Sequence, residues 1–215
     1  HFPEKLLSNI TESGIVTIPK GVRKIGDGAF QLCSIQSSLF FPESDSITII
    51  IPDCVTEIGN GAFALFDLSS IIIPNSFTKI GKGAFYNCNS LTSITIPNNV
   101  TKIGDYAFKD CSNLTSMTIP DSVTEIGRGA FNGCSGLINT TIGNGVKSIG
   151  AEAFYNCTGT LIVNCNIPDG YDLESTTNDY YKFVNVKNDY FTMSPFVVEG
   201  FGEEAINAYE NYLST

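Results

Sequence analysis

The chain has 215 residues, 42% of them apolar, and a formal charge of −10 from 22 acidic and 12 basic side chains. A chain this acidic repels a phosphate backbone, which proteins meet with clustered Lys and Arg, so nucleic acid is excluded as a partner. No stretch approaches the roughly 18 to 20 apolar residues needed to span a bilayer as a helix, and membrane insertion of this segment is not expected.

The N-terminus, His1-Phe2-Pro3, has neither an initiator Met nor a signal-peptide pattern. It reads as a processed or truncated start, and residues 1–14 as an N-terminal cap. From there the phrase Ile-Gly-x-x-Ala-Phe returns six times, at Ile25–Phe30, Ile58–Phe63, Ile80–Phe85, Ile103–Phe108, Ile126–Phe131 and Ile149–Phe154. From Phe63 onward the intervals are 22, 23, 23 and 23 residues. A fixed period in this range marks a solenoid, in which each repeat packs only on its neighbours.

The clearest copy runs from Leu114 to Cys134. Leu114–Ile119 alternates apolar and polar residues and stops at Pro120, which predicts a strand with one face buried. Val123–Ile126 alternates again and predicts a second short extended piece. Ala130, Phe131 and Cys134 are spaced i, i+1, i+4, which suits one helical or 3₁₀ turn with an apolar inner side. Each lap is therefore a strand, a turn, a short strand and a helical turn.

Pro19, Pro52, Pro74, Pro97 and Pro120 hold one phase, with Gly143 in the sixth place. Pro168 follows at 25 residues and Pro195 at 27, where Phe201, Gly202, Ala205 and Ile206 take the places of Ile, Gly, Ala and Phe. The expected array has about eight laps and one domain over 1–215. Residues 15–157 form regular repeats with an insertion near 34–46, about ten residues long. Residues 158–215 form degenerate repeats and a C-terminal cap, with Glu203–Leu213 as an amphipathic closing helix. The charge is uneven: residues 1–168 hold 13 acids and 10 bases, residues 169–215 hold 9 and 2.

The strand Leu-Thr-Ser-Ile-Thr-Ile-Pro at Leu91–Pro97, followed by Val100-Thr-Lys-Ile-Gly-Asp-Tyr-Ala-Phe108 and Cys111, resembles the BspA-like, or treponemal-type, leucine-rich repeat. The likeness covers Ile15 to Cys157 well and the remainder weakly. It implies an α/β, right-handed leucine-rich-repeat solenoid, found mostly on bacterial surfaces and in some mucosal parasites. It also implies a cell-surface or secreted location and adhesion to host matrix, host cells or other microbes. The family carries no catalytic residues.

The residues themselves offer little reactive chemistry. Cys33, Cys88, Cys111, Cys134 and Cys157 share one phase, with Phe66 in the second lap and Tyr209 in the last. Phe and Tyr do not replace a metal ligand or a disulfide partner, but they fill apolar space. Stacked laps also hold equivalent Cβ atoms about 4.8 Å apart, whereas a disulfide needs about 3.8 Å. A buried thiol ladder follows, with Cys54 and Cys165 outside it. No Cys-x-x-Cys is present, which speaks against structural zinc, and no other metal or cofactor is expected. A Cys or Ser nucleophile needs a base, commonly histidine, and the single histidine is His1. An enzyme is not expected. Gly26, Gly59, Gly81, Gly104, Gly127 and Gly150 recur in every lap without a Walker lysine, so they are read as tight-turn positions at positive φ. Five Asn-x-Ser/Thr sequons, at Asn9, Asn99, Asn113, Asn139 and Asn156, matter only in a host that glycosylates secreted proteins.

Binding falls to the strand face. Alternation directs Leu91, Ile94 and Ile96 inward and Ser93 and Thr95 outward. Stacking gives one outward column of Thr17, Ile50, Ile72, Thr95, Thr118 and Thr141, and another of Ile15, Thr48, Ser70, Ser93, Ser116 and Asn139. The candidate ligand-binding residues are Thr48, Ile50, Ser70, Ile72, Ser93, Thr95, Ser116 and Thr118. Two adjacent outward isoleucines form an apolar spot of the kind that marks contacts. Two blander readings stay open: hydroxyl ladders as solvent-facing filler, and coverage of the isoleucines by Leu39-Phe40-Phe41-Pro42. On the short strands, Lys24, Glu57, Lys79, Lys102, Glu125 and Ser148 form a mixed-sign column that favours solubility and blunts the edge. The expected function is a non-enzymatic surface or secreted binder of protein or glycan ligands, with a structural spacer array as the alternative.

Overall fold

The computed structural model describes residues 15–31, 47–163 and 181–185. A longer and a two-residue strand alternate along the chain: β1 (Ile15–Thr17) with β2 (Lys24–Ile25), β3 (Ile47–Ile50) with β4 (Glu57–Ile58), and β5 (Leu68–Ile72) with β6 (Lys79–Ile80). The fourth lap contributes only β7 (Lys102–Ile103). Next come β8 (Ser116–Ile119) with β9 (Glu125–Ile126), β10 (Asn139–Ile142) with β11 (Ser148–Ile149), and finally β12 (Gly159–Val163) and β13 (Tyr181–Asn185).

All pairings are parallel and between successive laps, as the fixed period requires. The short strands make one six-stranded sheet in the order β2-β4-β6-β7-β9-β11. The longer strands make two sets, β1-β3-β5 and β8-β10-β12-β13. Between them Leu91–Ile96 keeps the same alternation of buried and exposed residues but forms no strand. With that row included, the longer face has eight rows among the described residues, the last of them at Tyr181–Asn185, whereas the expected eighth lap at Pro195 lies outside them.

The interior is built from columns of one residue type. Phe30, Phe63, Phe85, Phe108, Phe131 and Phe154 stack along the axis, with ring centroids 4.9–5.4 Å apart and planes within 14° of parallel. Ile58, Ile80, Ile103 and Ile126 line a second column, and Leu68, Leu91, Leu114 and Leu137 a third, all buried. Such one-dimensional packing buries every lap against two neighbours and leaves function to the outside.

Three expectations are corrected. No helix occurs among the described residues, so the helical component of the α/β class is not found there. Glu203–Leu213 lies outside them, as do the 1–14 cap, the 34–46 insertion and Pro195. Where a helical turn was expected, alternate N–H groups point along the lap and along the axis. Ala84 N donates to Gly81 O at 3.3 Å and Tyr86 N to Gly83 O at 3.0 Å, whereas Phe85 N donates to Ala107 O at 2.8 Å and Asn87 N to Lys109 O at 2.7 Å in the next lap. Left-handed residues at Gly83 and Asn87, with φ of 58° and 56°, reverse the curl and forbid a continuous helix.

The glycines also divide differently. The positive φ falls two residues after the predicted positions, at Gly28, Gly61, Gly83 and Gly129, with φ of 55–59°. Gly59, Gly81, Gly104, Gly127 and Gly150 are needed for close approach instead, because a Cβ there would lie 2.3–2.7 Å from the preceding lap. Finally, the register sets Val163 beside Ile142 and Leu161 beside Thr140. The seventh row thus follows the buried Leu161, where a phase counted from Pro168 would have set Ile167 beside Ile142.

Candidate functional site

The strand face carries both predicted outward columns. β1, β3 and β5 bring Thr17, Ile50 and Ile72 side by side, and Ile15, Thr48 and Ser70 beside them. β8 and β10 do the same for Thr118 with Thr141 and for Ser116 with Asn139. Ser93 and Thr95 are exposed on the row between the two sets. Ile72 is 60% exposed and Ile50 37%, so two neighbouring apolar side chains stand in water. A bulge at Ser69 fixes this register, shifting the pairing between Ile47 and Thr48. The Ser69 hydroxyl donates back to Ile47 O at 2.9 Å and so ties the bulge down.

From Ile15 to Ile162 no charged residue lies in either column among the described residues; by register Lys182 of β13 follows Thr160 in the second. Over that span the charges sit on the short-strand and turn sides. Lys24 pairs with Glu57 at 2.8 Å and Lys102 with Glu125 at 2.5 Å, in the expected mixed-sign column. The hydrogen bond and charge of Lys24 hold the Glu57 carboxyl below its ordinary range, and Glu57 raises Lys24 in return. Both are solvent-exposed, so the pair adds little to stability.

Sequence reasoning missed three surface features. Ile162 extends the Thr141 column by register. Ile138 is 60% exposed at the corner where the fifth lap has Thr115. Tyr155 is 42% exposed on the turn side. An apolar residue in a Ser/Thr column was a legible signal for the first two.

The thiols belong to the interior. Cys88, Cys111, Cys134 and Cys157 are fully buried and free. Each donates to the carbonyl of the Phe one lap back: Phe63 at 3.1 Å, Phe85 at 3.1 Å, Phe108 at 3.0 Å and Phe131 at 3.0 Å. Burial pushes the Cys134 thiol well above its ordinary range. Phe66 fills the equivalent place in the second lap. Cys33, Cys165, Tyr209 and His1 lie outside the described residues. Among the described residues no three His, Cys, Asp or Glu side chains group as metal ligands, and no helix is long and apolar enough to cross a membrane. The sequons at Asn99, Asn113, Asn139 and Asn156 are exposed, and Asn9 is outside the described residues.

Short parallel strands, a stacked aromatic core and one lap per 22–23 residues define a leucine-rich-repeat solenoid. The chain belongs to the BspA type leucine rich repeat family, whose profile matches residues 2–50 and 37–161 in six copies. No curated protein matches the chain. Among solved structures it is similar to the leucine rich repeat protein of Treponema pallidum, with 29% identity and a TM-score of 0.62 over 74% of this chain and 72% of that one. A leucine rich cell surface protein of Faecalibacterium prausnitzii is 34% identical with a TM-score of 0.53, over 62% of this chain but 33% of its own length. The pneumococcal vaccine antigen PcpA shares the fold at 23% identity and a TM-score of 0.54. This chain thus spans about a third of the Faecalibacterium protein.

Proposed function

We propose that the chain is a non-enzymatic binding module of a cell-surface or secreted protein, and that it adheres to a protein ligand on a host or microbial surface through its strand face. The observation that carries this reading is the pair Ile50 and Ile72, adjacent and exposed where the neighbouring rows β1, β3 and β5 put no charged residue in the outward columns. Exposed apolar pairs in such a setting are what a desolvated interface core uses. The strip has hydroxyls but no aromatic side chain in its outward columns, which favours a protein over a sugar at this face. Thr48, Ser70, Ser93, Thr95, Ser116 and Thr118 would supply hydrogen bonds around the apolar centre. The cell-surface description of the Faecalibacterium relative supports the location.

The test is capture of matrix and cell-surface proteins by the wild type and by an Ile50→Asp/Ile72→Asp variant, at low and high salt. Loss of binding on substitution, with an unchanged melting temperature and little salt dependence in the wild type, is the expected result. Equal, negligible binding by both chains would instead make the array a spacer.

A further inference from the structure

The turns that join the longer strands to the short ones follow one plan in the first five laps. The fourth residue donates its N–H to the carbonyl of the first: Val22 to Pro19, Val55 to Pro52, Phe77 to Pro74, Val100 to Pro97 and Val123 to Pro120, at 3.0–3.3 Å. The third residue ties the turn to the preceding lap. Cys54 Sγ donates to Val22 O at 3.2 Å, Asn99 Nδ2 to Asn75 O at 2.7 Å and Ser122 Oγ to Val100 O at 2.7 Å. The sixth turn reads Gly143-Asn144-Gly145-Val146 and departs from this plan. Gly145 has no side chain to donate, and among the described residues neither its N–H nor that of Val146 has a hydrogen-bond partner.

Asn-Gly occurs three times in the chain, at Asn60, Asn132 and Asn144. At the first two the glycine N–H is held by the next lap: Gly61 N donates to Lys82 O and Gly133 N to Tyr155 O, both at 2.8 Å. Asn60 Oδ1 also accepts from Lys82 N at 2.9 Å. Asn60 and Asn144 are otherwise matched. Both are exposed, and each donates its own N–H to an aspartate one lap back, Asp27 Oδ1 at 2.8 Å and Asp121 Oδ1 at 2.6 Å. The difference lies in the Asn144 carboxamide and the N–H that follows it, which no hydrogen bond holds among the described residues.

We infer that Asn144-Gly145 is a modification site, at which the folded chain deamidates spontaneously through a succinimide. The Gly145 nitrogen gives up its proton to solvent and attacks Asn144 Cγ. The N–Cγ bond forms, the Cγ–Nδ2 bond breaks, and Nδ2 leaves as ammonia. Water then opens the ring: attack at Cγ gives aspartate, and attack at the backbone carbonyl carbon gives isoaspartate, with the chain continuing through Cγ. Water is the only co-reactant, and nothing is oxidised or reduced. Glycine puts no Cβ in the way of ring closure, and an N–H without a partner has no hydrogen bond to lose before it attacks. Either product sets a second carboxylate beside Asp121. The turn belongs to the sixth lap, whereas Ile50 and Ile72 belong to β3 and β5, so this reading and the ligand-binding one stand or fall separately.

The test ages the full 215-residue chain in mildly alkaline buffer, folded and in concentrated urea. The peptides holding Asn60, Asn132 and Asn144 are followed by mass spectrometry, with enzymatic methylation of isoaspartate as a second readout. In urea the three sites should convert at similar rates, because each is followed by glycine. In the folded chain Asn144 should convert about tenfold or more faster than Asn60 and Asn132, with isoaspartate among its products. Conversion at Asn144 no faster than at the other two would overturn the assignment. So would a lead of the same size in urea, which would trace it to local sequence, or a product without isoaspartate, which would rule out the ring.

Discussion

The two glycine positions of the repeated phrase, two residues apart, have different jobs, and alanine substitution at one example of each separates them. A Cβ at Gly104 would lie 2.7 Å from Lys82 N, 2.8 Å from Gly81 C and 2.9 Å from Gly81 O. All three are backbone atoms of the preceding lap, so no side chain can swing away. Reaching an ordinary contact requires the laps to part by several tenths of an ångström. That would stretch the bond from Gly104 N to Ile80 O, now 3.0 Å, and the Phe85–Phe108 stack, now 5.2 Å. Overpacking costs about 1–3 kcal/mol, and a rigid obstacle puts Gly104→Ala near the upper end. At Gly83, φ is 58° but nothing lies closer than Tyr86 Cβ at 3.7 Å. Left-handed alanine costs roughly 1–2 kcal/mol, offset by about 0.4–1 kcal/mol from the stiffer unfolded chain. Gly83→Ala should therefore cost about 1 kcal/mol or less. With a urea m-value of about 2 kcal/mol/M, the two midpoints should differ by about 1 M. Equal midpoints, or a lower one for Gly83→Ala, would refute the division of roles.

Truncating Phe108, buried between two stacked rings, should cost about 3–5 kcal/mol. In hydrogen-exchange measurements the loss should concentrate in the laps touching that ring; uniform destabilisation from end to end would contradict neighbour-only packing. The buried Cys134 thiol contributes a pH trend of definite sign. Unfolded cysteine ionises near pH 8.5, while burial keeps Cys134 protonated well above that. Its contribution is thus complete below about pH 8.5 and is lost as pH rises toward the folded value. The urea midpoint should fall between pH 8 and pH 10, and a Cys134→Ala variant should show a shallower fall. Thiol titration before and after non-reducing denaturation checks the same ladder, which requires at least five titratable thiols once the chain is unfolded.

The laps, their core columns and the outward strand columns were legible because period-two alternation and a fixed repeat length each leave one solution. Ile50 and Ile72 could be placed side by side by counting alone. The turn side was less legible, for two physical reasons. Ala130, Phe131 and Cys134 have a spacing that suits a helical turn and an alternating run of turns equally well, and only backbone handedness at Gly129 and Gly133 separates them. Likewise Gly127 and Gly129 look alike in sequence, but one is fixed by the lap beneath it and the other by its own φ. Contacts between laps decide both cases, and they arise only on stacking. The turn at Asn144 could have been found, since Gly143 interrupts a column that is proline in the five laps before it.

The distribution of charge sets the faces of the array apart. Residues 15–31 and 47–163 contain nine acids and nine bases, none of them in the outward columns of the longer strands. A solenoid repeats each face in every lap, so a charge tolerated on one row has a like neighbour unless the next row reverses its sign. The short-strand column reverses at two places, with Lys24 against Glu57 and Lys102 against Glu125, while Lys79 stands between Glu57 and Lys102. The strand face avoids the conflict by carrying hydroxyls, so recognition there rests on shape and apolar area, with little electrostatic steering. On the turn face Lys109 lies near the rings of Tyr86 and Tyr106 and 4.0 Å from Asp110, and Lys82 lies near Tyr106 with no ion pair among the described residues. A ligand on the isoleucine strip should therefore barely respond to salt, because no fixed charge stands beside Ile50 and Ile72 in the outward columns to be screened.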